Sequence, residues 1–220
     1  LHLRLAGEFQ YRGAGDAVQD FLAEMPGHDP AARDDVGVVR GALGHRSALD
    51  HPGIVGAGGL GHHLAHRRVE QLDGFDLDLN DYSAIIAGGS PFDVSSREYK
   101  KSEVQKNVEV FFKELFSRVI PQDFPFMGVC SGNGLLGKYY GTNISRRYGE
   151  GIGSTTITLS EEAENDPLLA GLPKEFVALV GHKEACDTVP GNAVLLASSA
   201  TCPVQMFRIK NNVYAVQFHP

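Results

Sequence analysis

Cys130 and His219 are the two residues whose surroundings could support covalent chemistry. Cys130 follows a short apolar run, 126–129, and precedes a Gly-rich segment typical of a helix start, so it is predicted to lie at the tip of a sharp strand-to-helix turn. Such a turn lifts its apex side chain out of the sheet, and the positive end of the next helix favours the thiolate. His219 follows another mostly apolar run, 213–218. A cysteine with a histidine is the minimum for nucleophilic acyl transfer.

The elements that position these residues are predicted from the patterns after residue 76. Apolar residues spaced three to four apart predict an amphipathic helix, and they are Val104, Val108, Phe111, Leu115 and Val119. Ser95 and Glu98 have the spacing of a capping box at its start, and Pro121 is expected to end it. Apolar or β-branched runs predict strands, and they are 125–129, 154–159, 176–180, 194–197, 204–209 and 213–218. The last two are expected to pair across Asn211 and Asn212, a turn that tolerates positive φ.

The turn around Cys130 resembles the nucleophile motif of the class I glutamine amidotransferases, in particular stand-alone domains similar to the glutaminase half of GMP synthase. In that motif glycine, an apolar residue, cysteine, any residue, glycine and any residue are followed by glutamine. Residues 128–133 fit the first six positions, and Gly134 stands at the seventh. Residues 218–220 fit the family's Phe-His-Pro-Glu run, whose glutamate orients the histidine. We therefore expect that the chain is truncated and that this glutamate comes one residue further on.

The resemblance covers residues 76–220 and implies an α/β fold. In the family a mostly parallel central sheet lies between flanking helices in three layers, as in flavodoxin, and antiparallel strands follow toward the C-terminus. We expect residues 76–220 to form this amidotransferase-like domain. The chain as a whole is expected to be one domain, since 220 residues are rather short for two.

The resemblance also implies a reaction. The Cys130 thiolate would attack the side-chain amide carbon of glutamine, and the resulting γ-glutamyl thioester would be hydrolysed, so that the products are glutamate and ammonia. His219 would keep Cys130 deprotonated, donate a proton to the departing ammonia and activate water. Because the family passes ammonia to a synthetase, a synthetase subunit on another chain is an expected partner. No cofactor and no metal are expected.

Further site residues are implied by the same resemblance. The backbone N–H groups of Gly89 and Ser131 would bind the oxyanion of the tetrahedral intermediate. The residues expected to line the substrate pocket are Gly88, Gly132, Gly134 and His182.

Two alternatives to glutamine hydrolysis remain open. Because Gly134 lacks the amide that helps to hold glutamine in the family, the chain could be a γ-glutamyl peptidase or hydrolase on the same fold. It could also be a non-catalytic binding homologue. We expect a polypeptide that truly ended at Pro220 to be inactive, because His219 would lose its orienting partner.

Composition excludes several classes of function. A net charge of -7 and a pI near 5.7 give no electrostatic footprint for nucleic acid. No apolar run approaches the ~20 residues that cross a bilayer, so no membrane association is expected. The three cysteines have no C-x-x-C spacing and indicate neither a disulfide framework nor a zinc site. A free catalytic thiol suits a reducing compartment, so the expected location is the cytoplasm.

The segment 1–75 differs from the remainder of the chain. It contains seven of the nine histidines and no lysine, and its best strand candidate is 36–39. Two explanations stay open: a lineage-specific extension that is partly disordered, or a stretch translated in a shifted frame of a GC-rich gene. Residues 56–61 have the letters of a dinucleotide-binding fingerprint, and His62 and His66 have the helical spacing of metal ligands. Both patterns are interpreted as products of the unusual composition.

Overall fold

The computed structural model of this chain describes residues 77–82 and 84–219, together with the backbone of two earlier strands. Its strands are β1 (Asp35–Arg40), β2 (His63–Arg68), β3 (Ala84–Ala87), β4 (Phe126–Val129), β5 (Ile144–Ser145), β6 (Glu150–Leu159), β7 (Glu175–His182), β8 (Ala185–Cys186), β9 (Ala193–Ser198), β10 (Met206–Ile209) and β11 (Val213–Val216). Nine of them form one sheet in the order β2-β1-β3-β4-β11-β10-β9-β6-β7, and β5 pairs with β8.

The sheet is mixed and curled. The strands β2, β1, β3, β4 and β11 are mutually parallel, whereas β10, β9, β6 and β7 extend the sheet through antiparallel pairs. Beyond β11, His219 forms an isolated antiparallel bridge with Leu179 of β7. The sheet therefore curls until its last strand reaches the end of a central one. The predicted α/β fold with antiparallel C-terminal strands is confirmed.

Two α-helices and four 3-10 helices lie within the described residues. They are α1 (Glu103–Gln122), α2 (Ser131–Tyr139) and the 3-10 helices Leu79–Asp81, Glu98–Lys100, Glu162–Asn165 and Pro167–Leu169. The amphipathic helix is confirmed as α1, whose buried face includes Phe111, Leu115 and Val119. Val104, which was predicted on that face, is 44% exposed because it lies in the first turn.

The capping box predicted at Ser95 and Glu98 is wrong. Helix α1 begins after Ser102, whose hydroxyl accepts a hydrogen bond from the Gln105 N–H at 3.1 Å. Ser102 and Gln105 have the same serine-to-Glu/Gln spacing seven residues later, and the Gln105 side-chain amide donates to the Asp93 carbonyl and to Glu109. Pro121 does not end the helix at once, because it lies in the last turn, where Gln122 is the final helical residue.

Strand β11 shows how the sheet is buried on both faces. Val213 and Ala215 belong to a core cluster that includes the apolar face of α1, whereas Tyr214 and Val216 belong to a second cluster on the opposite face. This alternation is the period-2 pattern of a strand covered on both sides. The predicted hairpin of β10 and β11 is confirmed, although the positive φ of 54° falls on Lys210 and not on the two asparagines.

The N-terminal expectations have mixed outcomes. The strand candidate at 36–39 is confirmed as part of β1. His62 and His66 have the spacing of metal ligands on a helix. Residues 63–68 form the strand β2 instead, so the helix that this pattern requires is not present there. Residues 56–61 lie outside the described residues, and so does most of the segment 1–75, for which two explanations were given. Within the described part of the chain, no helix has the length and apolarity to cross a membrane.

Candidate active site

Cys130 lies at a strained turn between β4 and α2. Its backbone has φ 56° and ψ −102°, a region that residues other than glycine rarely adopt and that costs about 1–3 kcal/mol. Such strain persists only where the surroundings impose it and is concentrated at functional sites. The predicted strand-turn-helix geometry is therefore present, and the side chain is half-buried at its tip.

Close backbone packing explains the glycines on either side of Cys130. A Cβ atom on Gly128 would lie 2.7 Å from the backbone carbon and oxygen of Gly132, and one on Gly132 would lie 2.9 Å from the carbonyl oxygen of Ala87. Neither neighbour is a flexible side chain that could move away. The turn can thus lie directly against β3 only with glycine at both positions.

Cys130 and His219 follow adjacent parallel strands. In the pairing of β4 with β11, Val129 lies opposite Val216, and the Cys130 N–H donates to the Val216 carbonyl at 2.8 Å. His219 comes three residues after Val216, and its N–H donates to the Leu179 carbonyl at 2.9 Å. Both residues therefore lie at the carboxyl edge of the same strand pair, where open α/β sheets bind their ligands.

The loop after β3 is tied to this turn. The Ser90 N–H donates to the Ser131 hydroxyl at 2.8 Å, and that hydroxyl donates to the Ser90 carbonyl at 3.2 Å. A Cβ atom on Gly89 would lie 3.8 Å from the Cys130 sulfur, and the Ser131 N–H donates to that sulfur. The two N–H groups predicted to bind an oxyanion thus belong to residues close to the thiol.

A cavity of about 150 Å³ opens beside Cys130. Drug-sized sites occupy roughly 300–1,000 Å³, so this one suits a ligand of amino-acid size. Besides Cys130, its lining comes from the loop after β3, the start of α2, the end of β7 and the residue after β11, and the lining residues are 90–94, Ser131, Gly134, 181–184 and Gln217.

The predicted pocket residues have different positions relative to the cavity. Gly134 and His182 line it, whereas Gly88, Gly132 and His219 are not among its lining residues. Gly132 is instead packed against Ala87, and Gly88 is half-buried just after β3. A substrate in this cavity would therefore contact Gly134 but not Gly132.

The amino-acid sequence of the chain matches a known protein family. A family model of class-I glutamine amidotransferases matches residues 61–220. The chain belongs to this family. The match begins before residue 76, so this family's pattern reaches into the segment of unusual composition.

Two curated relatives of this amidotransferase chain are subunits A of glutamine-hydrolysing GMP synthases. The protein of Thermoplasma volcanium is 30% identical over 158 residues, which is 71% of this chain and 66% of the relative. The protein of Saccharolobus solfataricus is 29% identical over 181 residues, which is 76% of this chain and 87% of the relative. The chain thus spans just under two thirds of the first relative.

A solved structure supports the fold. The crystal structure of a glutamine amidotransferase from Thermotoga maritima superposes with a TM-score of 0.61 at 19% identity, and the match covers 84% of this chain and 75% of that one. At this level of identity the likeness shows the α/β fold alone.

The electrostatic surroundings of Cys130 contradict the predicted thiolate. Burial raises the pKa of the thiol most strongly, and the charge of Glu184 raises it further, while the hydrogen bond from the Ser131 N–H opposes both. The helix dipole was expected to lower the pKa of the Cys130 thiol. This expectation was wrong, because desolvation of the buried thiol raises the pKa by more. In the resting chain the Cys130 thiol is protonated at neutral pH.

The surroundings of His219 have the opposite effect. Burial of its ring lowers the pKa of the imidazole, and the nearby His182 lowers it further. Because a lowered pKa favours the uncharged base at neutral pH, His219 is available to accept a proton.

His182 is held by other parts of the protein. Its Nε2 atom lies 2.7 Å from an oxygen of Glu150, and its Nδ1 atom lies 3.1 Å from the carbonyl oxygen of Glu184. The carboxylate of Glu184 in turn accepts hydrogen bonds from the N–H groups of Val94 and Ser95. His182 thus lines the cavity with both ring nitrogens already paired.

One group of described residues could bring three ligand atoms to a metal. Atoms of Glu150, His182 and Cys202 lie within 4.8 Å of one another. Burial raises the pKa of the Cys202 thiol to about 11, and its sulfur faces the Val204 carbonyl at 3.8 Å. Since Glu150 and His182 are also hydrogen-bonded to each other, we interpret the group as a hydrogen-bond network.

The sequence patterns missed Glu150, Glu184 and Gln217. Glu184 and Gln217 each lie within two residues of a predicted site histidine, which was the available signal. Nothing local marked Glu150, because it meets His182 only through the register of β6 on β7.

Substituting the glycines of the turn tests the packing argument. Gly132→Ala should reduce the free energy of unfolding by roughly 1–3 kcal/mol, because the new methyl group overlaps a backbone carbonyl. Gly134→Ala is the matched control in the same helix: its Cβ would lie 3.7 Å from Val94 Cγ2, and it should stabilise by about 0.5–1 kcal/mol. Equal urea midpoints for the two variants would contradict the packing argument.

The alkylation rate of Cys130 tests its electrostatics. Because the folded protein raises the thiol pKa, the rate with iodoacetamide should stay low at neutral pH and rise with a midpoint above ~8.5. Cys186 and Cys202 should not contribute, since burial raises the pKa of their thiols to about 12 and about 11, and Cys130→Ala measures any background. A midpoint below about pH 7, as for an activated thiolate, would show that the protein lowers the pKa of Cys130 and would contradict the prediction.

Proposed function

We propose that the chain hydrolyses the side-chain amide of glutamine to glutamate and ammonia through a γ-glutamyl thioester on Cys130. The proposal rests on the position of Cys130. Its half-buried thiol lies at a strained turn and lines a cavity of amino-acid size. Membership of the class-I amidotransferase family supports glutamine as the substrate. Cys130 is the nucleophile and His219 is the base.

Proton transfer between two neutral groups begins the reaction. The raised pKa of Cys130 and the lowered pKa of His219 leave a neutral thiol and an uncharged imidazole at the same edge of the sheet. As the sulfur attacks the amide carbon, His219 takes the thiol proton and then donates it to the departing ammonia. Water next attacks the thioester, His219 accepts a proton from it, and the thiol re-forms as glutamate leaves.

Backbone N–H groups stabilise the negative oxygen of each tetrahedral intermediate. We assign them to Gly89 and Ser131, which both lie close to the Cys130 sulfur. Donors fixed in advance in this way are worth roughly 2.7–4 kcal/mol each. The hydrogen bonds between Ser90 and Ser131 keep the two donors at a constant separation.

The lining of the cavity matches the charges of a free amino acid. Lys183 and Asp93 both line the cavity, where they form an ion pair at 3.7 Å. We assign Lys183 to the α-carboxylate and Asp93 to the α-ammonium of the substrate, contacts that would replace this pair. Gln217 is 1% exposed, and its buried Oε1 atom has no hydrogen-bond partner among the described residues. We assign this oxygen to an N–H of the substrate, which would remove the cost of leaving it unpaired.

We further propose that the ammonia passes to a separate synthetase subunit and that the protein works in the cytoplasm. The first proposal follows the relatives, which are named as subunits A of GMP synthase. The second follows the free thiol of Cys130, which suits a reducing compartment. A γ-glutamyl peptidase and a binding homologue are not favoured, because those relatives are named as glutamine-hydrolysing.

Removing the thiol tests the proposal. Cys130→Ala should reduce the release of glutamate and ammonia from glutamine by at least about 10⁴-fold, as expected when a nucleophile is removed. Cys186→Ala is the matched control, because Cys186 is fully buried and outside the cavity, and it should retain wild-type turnover. A Cys130→Ala protein that hydrolyses glutamine as fast as wild type would exclude covalent catalysis by this residue.

A further inference from the structure

Glu150 and His182 form a buried pair at the open end of the β6–β7 hairpin. The two residues lie directly opposite each other across the strands. Their side chains are only 5% and 2% exposed, and the carboxylate oxygen and the ring Nε2 lie 2.7 Å apart. Ionisable side chains are rarely buried to this extent unless they are paired.

The carboxylate of Glu150 is surrounded by donors. Besides His182, it accepts hydrogen bonds from the Gln205 amide at 2.7 Å and from the hydroxyls of Thr201 and Ser199. Burial by itself raises the pKa of this carboxyl, but the hydrogen bonds from Thr201, His182 and Gln205 bring it below its ordinary value. Glu150 is therefore ionised at neutral pH and acts only as an acceptor.

The imidazole ring of His182 is held on both sides. Its Nδ1 faces the carbonyl oxygen of Glu184 at 3.1 Å, and its Nε2 faces the carboxylate of Glu150 at 2.7 Å. Because both ring nitrogens are paired, the ring cannot turn without breaking a buried hydrogen bond.

The end of β7 connects this pair to both halves of the active site. Leu179 on β7 accepts the backbone N–H of His219. Glu184, just after β7, holds the backbone of Val94 and Ser95 in the loop that lines the cavity. The β6–β7 register shifts between Glu150 and Gly153, so regular backbone pairing is interrupted beside the pair, and the side chains hold this end of the hairpin together.

We propose that Glu150 and His182 form a buried positioning pair, which fixes the end of β7 against His219 and the cavity loop. Its catalytic importance rests on the proposed role of His219 as the base. Glu150 and His182 are positioning residues, since neither needs to touch the reacting atoms.

Several other charged or titratable groups face His182. They are Glu150 on β6, Cys202 in the turn that follows β9, Lys183 and Glu184 after β7, and His219 after β11. Of these, Glu150 makes the shortest contact. His182 adds to the effect of burial in lowering the pKa of His219, which favours the uncharged base.

An NMR titration of His219 tests whether the pair acts on it. His182 and burial lower the pKa of His219 in the wild-type chain. In His182→Gln the titration midpoint of His219 should therefore move to higher pH. An unchanged midpoint for His219 would overturn the proposal.

Kinetics of a matched pair of variants test the positioning. Glu150→Gln should lower kcat by roughly 10²-fold, the order expected for a small misplacement of a catalytic group, with a smaller change in KM. Glu175→Gln makes the same chemical change on the exposed far end of the same hairpin and should leave kcat unchanged. Equal kcat values for the two variants would overturn the positioning role.

The two experiments separate this inference from the proposed function. The NMR titration needs no turnover, so it tests the pair even if the wild-type chain does not hydrolyse glutamine, an outcome that would count against the function alone. If His182→Gln does not fold, the kinetics of Glu150→Gln still test the positioning, and if Glu150→Gln does not fold, the His219 midpoint in His182→Gln still does.

Discussion

The strained backbone of Cys130 is the constraint on which the site depends. A positive φ at a cysteine is costly, and it is maintained here because the turn is held from two sides. The Cys130 N–H is bonded to Val216 of the neighbouring strand, while Gly132 packs against the carbonyl of Ala87. Relaxation of the turn would break both contacts, so the stability of the sheet keeps the thiol directed at the cavity.

Burial then determines how the two reactive groups can work. It disfavours the thiolate of Cys130 and the cation of His219, so the resting pair is neutral and charge develops only when a substrate arrives. Fixed backbone donors are most effective in such a site, because they meet charge as it forms and need no reorganisation. The buried pair of Glu150 and His182 is proposed to fix the strand that holds His219.

Local sequence patterns were sufficient where local forces dominate. The apolar run before Cys130 and the glycines around it predicted the turn correctly, since both requirements lie within a few residues. The cap assigned to Ser95 failed because the N–H of that residue is taken by Glu184, 89 positions away. The thiol pKa had the wrong sign because burial is a tertiary property, and Glu150 was missed because only the strand register brings it to His182.

The central claim is that Cys130 carries the substrate as a thioester, and trapping that intermediate tests it most directly. Wild-type protein mixed with glutamine and quenched in acid within one turnover should carry a γ-glutamyl group on the peptide that contains Cys130, as identified by mass spectrometry. Rapid hydrolysis of glutamine with no adduct on this peptide, or with the adduct on another residue, would contradict the account.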